Sequence, residues 1–141
     1  MFEKYDEHAR RSIFFARAEA SNFGSSWIDT EHLLLGILQE DFHLRKELPG
    51  RAIDYIRAEI ERLTPSPRRE IPTSVDMPLS TACKRALAFA AEEVERSGDG
   101  LLNPGHLVLG LLRVTDCMAA DLLRSHGIDI PSYRSVLEKY R

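Results

Sequence analysis

The chain has 141 residues, a net charge of −3, and 43% apolar and 29% charged residues. This composition is typical of a soluble globular protein, and the length suits one ordinary domain or two very small halves that share a core. The slightly acidic balance disfavours nucleic-acid binding, which normally requires a basic surface, and no apolar run approaches the roughly 18 residues of a membrane span.

The first predicted helix follows Asp6 and ends near Gly24. Ala9, Ile13 and Ala16 recur at the spacing of one helix face. Asp6 is a typical N-cap residue, whose side chain accepts bonds from first-turn amides. Gly24 suits the left-handed conformation that ends many helices.

The second predicted helix lies in the stretch IDTEHLLLGIL, residues 28–38. Asp29 is placed as its N-cap, so Thr30, Glu31 and His32 occupy the first three helical positions. The apolar run that follows predicts a helix buried on most sides. Gly36 costs about 1 kcal/mol of helix propensity, and we expect it to allow the close approach of a neighbouring helix.

Residues 49–63 form a further predicted helix. The stretch TPSPRREIPTSVDMP then contains four prolines, which exclude regular structure throughout and indicate a linker. Trp27, just before the second helix, is expected to be a plug of the core or a hinge. The alternative is an exposed anchor for a partner.

The second half of the chain repeats the first. A shift of 74 residues aligns 5–38 with 79–112 without a gap. Ten positions are identical, namely 11/85, 15/89, 16/90, 19/93, 24/98, 32/106, 33/107, 35/109, 36/110 and 38/112. Ser80 is then the N-cap of the matching helix and Gly98 its stop, while LNPGHLVLGLL places Gly105 where the first copy has Glu31. Residues 131–140 form a last predicted helix.

These patterns predict an all-α fold, since strand signals are absent. We expect two similar four-helix repeats, about eight helices in all, related by a pseudo-twofold axis. Repeat one is residues 1–64, the linker 65–78 and repeat two 79–141.

Motifs for catalysis, metal binding and nucleotide binding are missing. Glu31 and His32 are adjacent on a helix and point about 100° apart, so they do not form an acid/base pair. His32 and His106 are expected to bond to neighbouring loops. The sequence has no CxxC, HExxH, GxxxxGK[ST] or GxGxxG. We therefore expect no metal and no cofactor, and keep a small enzyme using His32 or His106 only as a competing hypothesis.

The N-terminal segment and the cysteines predict the cellular compartment. The N-terminal MFEKYDEHARR has no apolar run of signal-peptide length. Cys83 and Cys117 stand alone, without a disulfide framework. A reducing cytoplasmic location is the simplest expectation.

The doubled motif resembles a known family. The pattern A-R-x-x-I-x-x-A-x-x-E-A-x-x-x-G-x-x-x-I-x-T-E-H-L-L-L-G-I-L, from Ala9 to Leu38, is similar to the Clp N-terminal repeat of Hsp100-type unfoldases. The second copy, followed by AxxLLRSHGID, is similar to that family's second repeat, so the likeness extends from Phe2 to Tyr140. It implies a protein-binding module without chemistry of its own, which receives adaptors or substrates above an ATPase ring.

In some members of the family each repeat also takes a phosphoarginine side chain. The resemblance then implies that the glutamate of the TEH motif meets the guanidinium and that the start of the first helix of the repeat meets the phosphate, a position that helix amides favour. Repeat one has Glu31 but a negative Asp6 at the cap. Repeat two has Ser80 and Lys84 but Gly105 in place of the glutamate. The candidate binding residues are Asp6, Arg11, Thr30, Glu31, Ser80, Lys84 and Gly105.

We therefore expect a domain that recruits protein substrates or adaptors to Clp ATPase/protease machinery, with phosphoarginine peptides as candidate ligands. The alternative is a stand-alone accessory subunit or adaptor that docks on the Clp ring; the lack of an ATPase module within the 141 residues fits either this or an excised N-terminal domain of an unfoldase. Both expectations exclude nucleic acid and membrane as partners. A monomer is expected.

Overall fold

The computed structural model describes residues 2–65 and 69–140 of the chain, and this part contains eight helices. They are α1 Glu7–Asn22, α2 Thr30–Glu40, α3 Phe42–Glu47, α4 Ala52–Leu63, α5 Thr81–Ser97, α6 Pro104–Arg113, α7 Met118–Ser125 and α8 Ile130–Lys139. The predicted all-α fold of two four-helix repeats is confirmed. The predicted linker has no helix in its described residues, and its residues 66–68 lie outside them.

The predicted helix ends are found where the sequence places them. Asp6 and Ser80 cap α1 and α5, each accepting a bond from the amide three residues on. Gly24 and Gly98 follow these helices with φ of +69° and +77°, a region that glycine enters without strain. The local sequence therefore sets where both long helices begin and end.

The apolar helices α2 and α6 form the centre of one core shared by both repeats. α1 packs against α2, and α5 packs against α6. At Gly36 an added Cβ would come within 2.7 Å of the Ala16 amide nitrogen, and at Gly110 within 3.0 Å of the Ala90 nitrogen. Both glycines therefore permit the close helix approach that the sequence predicted.

The pseudo-twofold symmetry extends to buried ion pairs. Glu19 of α1 is buried and accepts bonds from the Arg57 guanidinium of α4 at 3.0 and 2.6 Å. The equivalent Glu93 of α5 is buried and accepts bonds from Arg134 of α8 at 3.0 and 2.8 Å. Each repeat thus ties its first helix to its last by the same charged contact.

The repeats are also joined directly. The buried Tyr133 of α8 donates a hydrogen bond of 3.0 Å to Asp41, the N-cap of α3. Burial raises the pKa of Asp41, although the bond from Tyr133 acts in the opposite direction. The short helices α3 and α7 were not located from the sequence, because six and eight residues give too little periodicity to recognise.

Candidate functional site

The start of α2 lies beside the start of α5. The Ile28 amide donates to the Pro78 carbonyl at 2.9 Å, and the Ser80 amide donates to the Ile28 carbonyl at 2.9 Å. Glu31, in the first turn of α2, therefore belongs to the same surface as the N-cap of α5. We call the surface formed by Asp29, Glu31, Ser80 and Lys84 the α2/α5 surface.

The symmetric contact joins the starts of α1 and α6. The Asp6 amide donates to the Leu102 carbonyl at 2.9 Å, and the Leu102 amide donates to the Lys4 carbonyl at 2.8 Å. Asp6 therefore lies with Gly105, and we call the surface formed by Asp6, Asn103 and Gly105 the α1/α6 surface.

These contacts correct one sequence prediction. The grouping of Glu31 with Asp6, and of Gly105 with Ser80, within single repeats is wrong. The physical reason is the crossed packing, in which each loop before a central helix pairs with the segment before the long helix of the other repeat. Each surface combines both repeats.

A direct side-chain bond closes the α2/α5 surface. The Ser80 hydroxyl donates to the Asp29 carboxylate at 2.8 Å, while accepting from the Cys83 amide at 3.0 Å. The same Asp29 carboxylate accepts from the Thr30 amide at 2.8 Å. Ser80 and Asp29 are thereby fixed as N-caps of two neighbouring helices.

Glu31 is half-buried on this surface. Burial raises the pKa of its carboxyl group, although bonds from its own amide and from the Thr30 side chain act in the opposite direction. Among residues 2–65 and 69–140, no cation forms an ion pair with Glu31. A partly desolvated carboxylate without a counter-ion favours a ligand that brings a positive charge.

The other candidate residues differ in accessibility. Lys84 is exposed one turn into α5, next to Ser80. Thr30 is buried, with 1% exposure, so it can support Glu31 but offers no surface to a ligand. Arg11 lies away from this surface, and its guanidinium is bonded to Glu7 and Glu40 at 2.7 Å each.

The α1/α6 surface opens into a cavity of about 290 Å³. Gly105 offers no side chain, and an added Cβ would meet the Leu137 side chain. The carboxylates that line this cavity already have partners within the protein: Asp6 bonds the Ala9 amide, Glu40 bonds Arg11 and His8, Asp41 bonds Tyr133, and Asp99 bonds His106. Unlike the α2/α5 surface, this surface has no carboxylate at the position equivalent to Glu31, because residue 105 is glycine.

The two motif histidines have structural roles. The Asp29 amide donates to Nδ1 of His32 at 3.0 Å, and the Asn103 amide donates to Nδ1 of His106 at 2.9 Å. His106 is 1% exposed. Its Nε2 donates to Asp99 at 2.8 Å, which is the bond to a neighbouring loop that the sequence predicted. His32 is 3% exposed, and burial lowers its pKa. Both rings are therefore buried and accept a backbone bond at the start of their own helix.

Trp27 is not a core plug, because 52% of its surface is exposed. It lines a groove of about 550 Å³ together with Glu31, Asp29 and Leu63. Sequence reasoning missed this groove, although the signal existed: Trp27 precedes an N-cap, in a loop that need not be buried. Its register partner Leu101 is equally exposed, at 53%.

Within the described residues, no group of three or more His, Cys, Asp or Glu side chains is arranged to hold a metal ion. In the same ranges, no helix combines the length and apolarity that crossing a membrane requires.

Comparison with known proteins identifies relatives. The chain is 33% identical over 136 residues to the ClpA homolog, an ATP-dependent Clp protease ATP-binding subunit, of Cyanidium caldarium. It is 33% identical over 138 residues to the chloroplastic chaperone protein ClpC1 of Oryza sativa subsp. japonica. Each match covers 96% of this chain but only 16% and 15% of the relative, so the chain spans about a sixth of the length of these proteins.

Solved structures share the fold. The N-terminal domain of the chaperone ClpD from Arabidopsis thaliana matches with a TM-score of 0.76 and 26% identity, covering all of both chains. The Hsp104 N-terminal domain from Candida albicans matches in fold with a TM-score of 0.70 and 19% identity, covering 95% of this chain and 89% of that one. A family model, the Clp repeat N-terminal domain, matches residues 4–126 and 79–140. The doubled helices, their crossed packing and these matches lead to one conclusion: the chain belongs to the Clp repeat N-terminal domain family.

Proposed function

We propose that this domain is a non-catalytic protein-binding module that recruits substrates or adaptors to a Clp-type AAA+ unfoldase or protease. The observation that supports the proposal most directly is the half-buried Glu31 carboxylate, without an ion pair among the described residues, beside the start of α5. The relatives named above include an ATP-binding subunit of a Clp protease, which suggests the machine that the domain serves.

The α2/α5 surface suits a guanidinium that carries an anionic group. Glu31 would accept the guanidinium, since a charge-assisted bond to a partly desolvated carboxylate is stronger than a neutral one. The anion would lie at the start of α5, where the amides of the first turn and the helix dipole favour negative charge. Lys84 adds a positive charge on that side. We therefore take phosphoarginine side chains as the ligand of this surface.

The α1/α6 surface is not expected to bind the same ligand. Asp6 places a negative charge where a phosphate would lie, and Gly105 supplies no carboxylate for a guanidinium. Leu137 occupies the space into which a side chain at position 105 would project. The proposal thus specifies one phosphoarginine per chain.

The test is calorimetric titration of the 141-residue chain with phosphoarginine, with Glu31→Gln as the variant. Glu95→Gln is the matched control, since Glu95 is exposed on α5 and its substitution removes the same charge. We expect a stoichiometry of one for the wild type and the control, and a loss of binding in Glu31→Gln. Equal binding in all three proteins would remove Glu31 from the site.

The alternative function is that of an accessory subunit docked permanently on a Clp ring. Whether the bound partner exchanges distinguishes this alternative from recruitment. A recruiting domain should release its partner within a pull-down and chase experiment, whereas an accessory subunit should remain at fixed stoichiometry. A cytoplasmic location and a monomeric state remain predictions; the Oryza relative is named as chloroplastic.

A further inference from the structure

A groove lined by both apolar and polar residues continues from the Glu31 carboxylate. Trp27 and Leu63 line it and are 52% and 46% exposed, while Glu31 and Asp29 line the same groove of about 550 Å³. A half-exposed indole next to a half-exposed leucine is an apolar surface that water solvates poorly.

The charged residues that line this groove are Asp29, Glu31 and Arg69, and they indicate what it would receive. Asp29 already accepts bonds from Ser80 and from the Thr30 amide, so its carboxylate is used within the protein. Glu31 has no ion pair among the described residues, and burial raises the pKa of its carboxyl group. A suitable occupant therefore places a cation at Glu31 and an apolar group against Trp27.

We propose that this groove is a second specificity pocket, which binds a bulky apolar side chain of the same peptide whose arginine or phosphoarginine is bound at Glu31. This inference rests on the proposed function of the α2/α5 surface, and it adds a requirement that the primary contact does not contain. The occupant is an extended peptide segment with a guanidinium and, nearby, a leucine, phenylalanine or similar side chain.

The spacing within such a peptide follows from strand geometry. In an extended chain, side chains two positions apart lie on the same face, about 7 Å from each other, whereas adjacent side chains point to opposite faces. The apolar residue is therefore two positions before or after the arginine. Bulky apolar side chains are exposed more often in unfolded segments than on folded surfaces, so the pocket would favour unfolded segments.

Repeat two offers a matched control. Leu101 occupies the position equivalent to Trp27 and is 53% exposed, but the residue equivalent to Glu31 is Gly105. An exposed apolar residue is therefore present on both sides, whereas the carboxylate next to it is present on only one. Leu101→Ala removes apolar surface without touching the proposed pocket.

The experiment titrates two peptides into the 141-residue chain by calorimetry, which measures affinity in the wild type and in Trp27→Ala alike. Both contain one phosphoarginine; one has glycine and serine at all other positions, and the other has leucine two positions before and two positions after the phosphoarginine. Trp27 is the only tryptophan in the sequence, so its emission reports on the pocket directly. We expect the leucine peptide to bind about tenfold more tightly and to shift the emission to shorter wavelength, since burying much of one leucine is enough for that ratio.

Two variants test whether the groove acts as a second pocket. Trp27→Ala should reduce the leucine peptide to the affinity of the glycine peptide and leave the latter unchanged, while Leu101→Ala should behave as the wild type. Equal affinity of the wild type for both peptides, or an equal loss in both variants, would overturn the second pocket while leaving the Glu31 site in place. Binding of neither peptide by the correctly folded wild type would overturn the proposed ligand and the pocket together.

A third peptide tests the coupling between the two contacts. It has the same leucines but glutamine in place of phosphoarginine. Binding as tight as that of the leucine peptide would show a general apolar surface, and would contradict a pocket that acts together with Glu31.

Discussion

Replacing Gly36 by alanine should destabilise the domain, although alanine is the better helix former. The added Cβ would lie 2.7 Å from the Ala16 nitrogen and nearer still to the Ser12 carbonyl oxygen. Both are backbone atoms of α1, so no side-chain rotation can relieve the overlap. Atoms this close must separate to at least 3.0 Å, so α1 and α2 must move apart by several tenths of an ångström along their contact.

The expected cost follows from two opposing effects. Inserting a methyl group into a well-packed interface typically costs 1–3 kcal/mol, and the rigid backbone neighbours place this site at about 3 kcal/mol, the upper end of that range. The gain in helix propensity returns about 1 kcal/mol. The net loss of about 2 kcal/mol in the free energy of unfolding corresponds to a decrease of roughly 4–8 °C in Tm for a chain of this size.

Urea denaturation followed by circular dichroism measures this loss, with Gly100→Ala as the control. An added Cβ at Gly100 would have no neighbour within 4 Å, so the control should change the free energy of unfolding by less than about 0.5 kcal/mol. Gly110→Ala should repeat the loss in the second repeat, where the Cβ would lie 3.0 Å from the Ala90 nitrogen. A Gly36→Ala protein as stable as the Gly100→Ala protein would refute the close-approach argument.

Three further predictions concern buried polar groups. Glu93→Gln should lower the free energy of unfolding by about 2 kcal/mol, because the partly exposed Arg134 and Arg113 lose a charged hydrogen-bond acceptor. The bonds from Arg134 lower the pKa of Glu93, so the wild type should lose stability as the pH falls through that pKa. The variant should show a flatter acid limb in urea titrations between pH 3 and 7. Asp41→Asn should leave the free energy of unfolding unchanged or raise it in the same assay at pH 7. Burial raises the pKa of Asp41, and asparagine can still cap α3 and accept a bond from Tyr133. A loss of stability above about 2 kcal/mol would contradict this. Burial raises the pKa of Cys83 to about 12, so the thiol should resist iodoacetamide at pH 8 in the native protein and react in urea, as mass spectrometry would show.

The fold was largely predictable, because the signals that specify it are local. Caps such as Asp6 and Ser80 and stops such as Gly98 act within one helical turn, so their residue types suffice to place helix ends. Because the sequence is duplicated, the pattern of each repeat also supports the helices predicted in the other. Helices α3 and α7 were missed because their length is below two or three turns, where apolar spacing does not distinguish a helix from a loop.

The grouping of the candidate site could not be obtained in the same way. Which helix start lies next to Glu31 depends on contacts between residues about fifty positions apart, such as the bond from Ser80 to Asp29. A repeat in the sequence suggests that each copy builds its own site, and nothing local contradicts that assumption. The exposure of Trp27 could not be decided for a related reason: a loop aromatic residue suits both the core and the surface, and the structure supports the alternative of an exposed residue, at 52%.

The crossed packing changes the meaning of the two departures from the family pattern. Within single repeats, Asp6 and Gly105 would damage both sites, one each, and leave the chain without a complete phosphoarginine contact. In the structure both substitutions fall on the α1/α6 surface, where the space opposite Gly105 is already filled by Leu137. Glu31, Ser80 and Lys84 remain together on the other surface. Under the proposed function, both departures therefore affect one surface, and the missing glutamate of the second repeat leaves the residues of the α2/α5 surface unchanged.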